Sequence, residues 1–205
     1  MSHPTVPAGA GAATVPRAAQ FAAILGGMLW ALVAPVFVLW NQARQAGAAA
    51  QALAVIAAFL VGVVSLLLLL CGLVPLYRQD LSALGQAGRA GVVISAFALG
   101  LMALGNGAEL ITVTARGHES DLAHTVFLGA FLVLLVASIL IGEVFVRRRW
   151  GAAARLGGLI LLLALPLGIL LLLLGNVVSP TTDLGFWAAL TMPYGIGRVL
   201  LALSI

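Results

Sequence analysis

The chain is 205 residues long, 63% hydrophobic and only 8% charged, with ten arginines, no lysine and six acids for a formal net charge of +4. A soluble domain carries roughly 25% charged residues, so a water-facing globular fold is excluded, and the same hydrophobicity excludes disorder. What remains is an all-α, polytopic transmembrane helix bundle, in which a pI of 10.6 reads as a topology signal and not as a nucleic-acid patch.

In chain order, the first 19 residues are rich in Pro, Ala and Gly and have no apolar face to bury, so residues 1–19 are expected to form a disordered cytoplasmic tail. Arg17 and the apolar run behind it imitate a signal peptide, but the run is longer than an h-region of about 7–15 residues, and an uncleaved first helix is preferred. A helix needs about 20 apolar residues to cross the hydrocarbon core. Six runs meet that length, at about 20–40, 51–76, 90–114, 122–146, 155–177 and 185–204. No alternating ten-residue segments suggest a barrel, and the loops are short, so neighbouring helices should be antiparallel. The two halves, 20–114 and 122–204, do not align as a three-helix repeat, which weighs against a transporter built from inverted halves.

The arginines sort by loop. Arg17, Arg78, Arg89, Arg147, Arg148, Arg149, Arg155 and Arg198 fall on one side, Arg44 and Arg116 on the other. The positive-inside rule then puts both termini in the cytoplasm of a cell whose inner (plasma) membrane holds the protein. Trp40 and Trp187 fit an outer aromatic belt, Tyr77 and Trp150 an inner one.

Polar residues within hydrocarbon are costly and each needs a reason. On the third span Ala96, Gly100, Ala103 and Gly107 recur at steps of four, three and four, a small-residue seam expected to receive a neighbouring helix. On its other side Asn106, Glu109 and Thr112 should face a helix or a wet vestibule. After it comes a short outer loop in which Ser120 or Asp121 would cap the fourth helix. Glu109, His118, Asp121 and His124 would lie at one membrane level, a donor set suited to zinc, although their spacing fits no metal motif. The simpler reading, a capped helix start with solvated side chains and no metal, is preferred. On the last span Trp187, Thr191, Tyr194 and Arg198 form one stripe that must face the bundle. Arg198 should snorkel toward the cytoplasmic boundary, and Glu143 has two partners in prospect, Arg147 on its own helix and Arg198 across the bundle.

No nucleophile elbow, P-loop or HExxH motif is present, and the absence of lysine excludes Schiff-base chemistry. Ser65, Ser95 and Ser138 have no Asp–His arrangement in sight, and Cys71 alone builds neither a disulfide nor a multi-Cys metal site. No cofactor is therefore expected.

The segments Leu73-Val74-Pro75-Leu76-Tyr77-Arg78-Gln79 and Gln86-Ala87-Gly88-Arg89-Ala90-Gly91, with Gly142-Glu143-Val144-Phe145-Val146-Arg147-Arg148-Arg149-Trp150, resemble a group of small, functionally uncharacterised multi-pass membrane proteins of GC-rich bacteria. The resemblance covers about residues 70–175 and implies topology without activity. Three functions compete. The first is a non-enzymatic accessory or structural bundle, with the lipid bilayer, a second copy or a membrane subunit as partner. The second is a small transporter or channel using Glu109 and the Trp187/Thr191/Tyr194/Arg198 stripe. The third is a membrane enzyme with an outer His/carboxylate metal site.

Overall fold

The computed structural model describes residues 17–46, 48–78, 81–116, 118, 120–147, 151–178 and 183–204. These form eight helices: α1 (Arg17–Ala46), α2 (Ala48–Cys71), α3 (Leu73–Arg78), α4 (Leu81–Arg116), α5 (Asp121–Arg147), α6 (Ala152–Leu162), α7 (Ala164–Val178) and α8 (Leu184–Leu203). Five of the described helices are long and apolar enough to cross a membrane, and six spans result if the bent pair α6 and α7 counts as one. The helical architecture expected of the chain is thus present. The first helix starts at Arg17, inside the stretch expected as a tail. Residues 1–16 of that tail lie outside the described residues, as does Trp150 of the expected inner belt.

Neighbour packs against neighbour in a closed ring, in the order α1, α2, α4, α5, α6, α8 and back to α1. Lipid tails are as apolar as leucine, so close packing must hold such a ring together, and small residues permit it. A Cβ on Gly26 would meet the Leu69 backbone at 2.7 Å, and one on Gly195 would meet the Gly27 carbonyl at 2.6 Å. Between α4 and α5 the close residues are Gly91 and Gly105, where a Cβ would lie 3.2 Å from the Ala137 carbonyl and 3.0 Å from the Ala123 carbonyl. Of the seam expected at Ala96, Gly100, Ala103 and Gly107, the two glycines meet no neighbouring helix, while Ala103 is buried in the core. A Cβ on Gly100 or Gly107 would touch nothing, whereas Leu99 is fully buried. The face of α4 that meets α5 carries Gly91 and Gly105.

Two expected spans are broken, for one reason. Proline lacks an N–H, and its ring collides with the carbonyl four residues earlier. The second span, expected to run to 76, stops at Cys71, four residues before Pro75, and resumes as α3 after Gly72. The fifth, expected to be continuous over 155–177, stops at Leu162, four residues before Pro166, and α7 leaves α6 at 69°. The two halves of the pair both pack along α8. A Cβ on Gly157 would lie 2.9 Å from the Gly197 carbonyl, one on Gly168 would lie 3.1 Å from the Ala189 carbonyl, and Gly175 abuts Gly185. Those contacts run as a single antiparallel register along α8. The bend carries α7 away from α5 and leaves an apolar groove of about 340 Å³ between Leu128 and Leu132 on α5, Gly168 and Leu172 on α7, and Phe186 on α8.

Pro35 and Pro193, by contrast, lie inside the unbroken α1 and α8. These two helices grip each other on both sides of the prolines. Gly195 seats against Gly27 and Ala31, and the rings of Phe37 and Trp187 stack at 3.7 Å with an interplanar angle of 10°. At the other end of the fold, Gly85 (φ 65°) takes up the left-handed backbone that only glycine adopts freely, and α4 turns there before it enters the ring.

Candidate functional site

The polar residues of the spans separate into a pair at the α4–α5 loop, the end called outer from the expected topology, and a group toward the opposite end, called inner. At the outer end α5 begins with Ser120 as its cap, whose Oγ accepts from the Ala123 N–H at 3.4 Å while its carbonyl accepts from the His124 N–H at 2.9 Å. That first turn aims His124 at α4, where its Nδ1 lies 3.3 Å from Glu109 Oε1. The Glu109 side chain is 6% exposed and that of His124 40%, so the carboxylate is sheltered and the imidazole reaches the boundary. The other two residues of the expected ligand set do not join them. His118 and Asp121 are exposed, and among the described residues no group of three His, Cys, Asp or Glu side chains is placed to hold a metal ion. Asp121 instead offers its backbone carbonyl to Thr125 Oγ1 at 2.7 Å. Asn106, one turn below Glu109 on α4, is buried with its amide against Gly62 of α2. Thr112 turns its hydroxyl back to the carbonyls of Ala108 and Glu109, both at 3.0 Å.

The inner group sits on the axis of the ring. Arg198 of α8 does not snorkel: it is 2% exposed. Its Nη2 donates to the Gly72 carbonyl at 3.4 Å, and Nε and Nη1 have no partner. The break that Pro75 forces in α2 brings that carbonyl within reach. Glu143, the acid expected to serve Arg198, is taken by Arg147 at 2.8 Å, one turn away on α5. Tyr194 lies one turn from Arg198 on α8 and is 1% exposed. Its hydroxyl interacts with Arg198 and, from α4 across the ring, with Ser95, yet the approach of the two hydroxyls falls short of full hydrogen-bonding geometry. The indole N–H of Trp30 is likewise buried and unpartnered, and the ring meets Phe127 of α5 with centroids 6.3 Å apart.

Sequence reasoning passed over Ser95 because it treated the membrane serines alike. Two of them, Ser65 and Ser138, return their hydroxyls to their own helix, at 2.8 Å to the Gly62 carbonyl and 2.7 Å to the Leu134 carbonyl. In the stripe on α8, Thr191 does the same with the Trp187 carbonyl at 2.9 Å. Such back-bonding is the ordinary fate of a hydroxyl in a membrane helix, and Ser95 departs from it.

The charge of Arg198 is the feature with energetic consequence. Removing an ion from water costs several kcal/mol even after the protein relaxes, and arginine cannot escape by losing its proton. One long bond to a neutral carbonyl offsets only part of that cost. No protein-family model matches this chain, and neither a curated protein nor a solved structure is significantly similar to it.

Proposed function

We propose that the chain is a non-enzymatic integral protein of the cytoplasmic membrane, with both termini in the cytoplasm, that serves as an accessory or structural bundle. The observation that carries this reading is the filled axis of the six-helix ring, where Trp30, Met102, Phe127, Leu134 and Tyr194 are buried. Close-packed interiors resist passage and deformation. The positive-inside distribution of arginines supports the orientation.

Two experiments test it. On a Cys71→Ala background, a cysteine placed at Gly47 or Ser179 should react with an external impermeant reagent in intact cells; protection of both until permeabilisation would reverse the orientation. Proteoliposomes holding the purified chain should leak chloride, potassium and protons no faster than empty vesicles. Flux above that background would favour the second reading, a small transporter, to which the partnerless donors of Arg198 and Tyr194 on the axis lend support.

A further inference from the structure

The inner group consists of hydrogen donors from two helices that face each other across the ring: Arg198 and Tyr194 on α8, Ser95 on α4. Four of their polar atoms, Nε and Nη1 of Arg198 and the two hydroxyl oxygens, are fully buried and without a partner. A lysine or histidine in this place would become neutral, but a guanidinium keeps its charge. Its one bond, 3.4 Å to the Gly72 carbonyl, orients the side chain and supplies no countercharge. The described acids lie elsewhere: Glu109 faces His124, Glu143 holds Arg147, Asp121 is exposed at the start of α5, and Asp183 is exposed at the head of α8.

A fixed positive charge, two hydroxyl donors and, among the described residues, no carboxylate are the chemistry of an anion site. The four atoms are fully buried, which suits a small bare ion better than a headgroup. We infer that Arg198, Tyr194 and Ser95 bind one small monovalent anion, a halide or a compact oxyanion such as nitrate, inside the membrane-spanning ring. A single negative charge balances the single guanidinium, the hydroxyls of Tyr194 and Ser95 turn their hydrogens toward it, and the Gly72 carbonyl holds the guanidinium in place. The inference is independent of which side of the membrane the termini occupy and of whether the ion moves.

The test uses the full chain purified in a maltoside detergent with gluconate, too bulky for the site, as the sole counter-ion. Chloride, bromide or nitrate is titrated at constant ionic strength while Tm is recorded, and chloride binding is read separately from the 35Cl line width. A ligand that binds only the folded state raises Tm saturably, so the expected result is a saturating rise in Tm and a broadened chloride line, both lost in Arg198→Gln. Tyr194→Phe and Ser95→Ala, each removing one hydrogen bond to a charged partner, should raise the half-saturating concentration by about tenfold. Thr191→Val, whose hydroxyl is used within its own helix, should leave it unchanged. If Arg198→Gln does not fold, Tyr194→Phe and Ser95→Ala decide the matter. The proposal is overturned if the wild type shows no saturable response, if the response persists unaltered in these variants, or if anionic phospholipid stabilises the protein while small ions do not.

Discussion

The two polar regions of this bundle solve the same problem in opposite ways. Glu109 is sheltered near the α4–α5 loop, and it meets His124 side chain to side chain, 3.3 Å away, with the imidazole partly exposed. Arg198 is buried inside the ring, and among the described residues its one hydrogen bond runs to the backbone carbonyl of Gly72, between α2 and α3. The first is a side-chain pair that links α4 to α5. The second is an open group of donors. What separates the two cases is the facing group: Glu109 lies against an ionisable side chain, whereas Arg198 is bonded to a neutral carbonyl.

The largest effect that would break this contrast is expected at Arg198. Arg198→Ala removes a fully buried side chain from the axis and should lower stability in detergent by about 2–5 kcal/mol, the range for large-to-small core changes. Arg198→Met keeps the volume without the charge and, in gluconate, should fall within about 1.5 kcal/mol of the wild type or exceed it. If the two variants lost equal stability, the charge and not the volume would be what the axis requires.

Next come the helix contacts that hold both regions in register. Gly195→Ala would place a methyl 2.6 Å from the Gly27 carbonyl and should cost about 1–3 kcal/mol by overpacking. Gly100→Ala meets nothing and should stay within about 0.5 kcal/mol of the wild type. Thermal melts of the two variants side by side would locate the α4 seam by experiment, and a larger loss at Gly100 would show it to be covered in the native membrane.

At the outer pair His124→Ala deprives the Glu109 carboxylate of its partner and should cost about 1–2 kcal/mol, less than a fully buried pair because His124 reaches water. A double-mutant cycle with Glu109→Gln should return a coupling of at least about 0.5 kcal/mol; no coupling would make the pair incidental. The smallest effect belongs to Glu143→Gln. The Arg147 side chain is 78% exposed and that of Glu143 36%, so this pair should contribute under about 0.5 kcal/mol.

How much of this could be read from the residues depends on how local each relation is. The Glu143–Arg147 pair was legible because both ends sit one turn apart on one helix. Glu109 and His124 were named together, within a set of four, because both fall at the outer level. Choosing this pair from the four required the rotation of α5 about its axis, which its packing on α4 fixes. The partner of Arg198 was not legible, because a backbone carbonyl at Gly72 carries no side-chain signature.

Sequence by itself determined that the chain is helical and multi-pass and roughly where each crossing lies, because uninterrupted apolar length is a one-dimensional quantity with a fixed bilayer thickness to match. It also supplied the small residues and the prolines. Which of these act, only the tertiary structure decided. Pro75 and Pro166 end helices, whereas Pro35 and Pro193 are held inside α1 and α8 by the Gly27–Gly195 and Phe37–Trp187 contacts. Gly100 faces no neighbour while Gly91 and Gly105 are pressed against α5. The reason is rotational. In hydrocarbon every face of a helix is apolar, so hydrophobicity does not say which face turns inward, and the close packing of the whole ring fixes it instead.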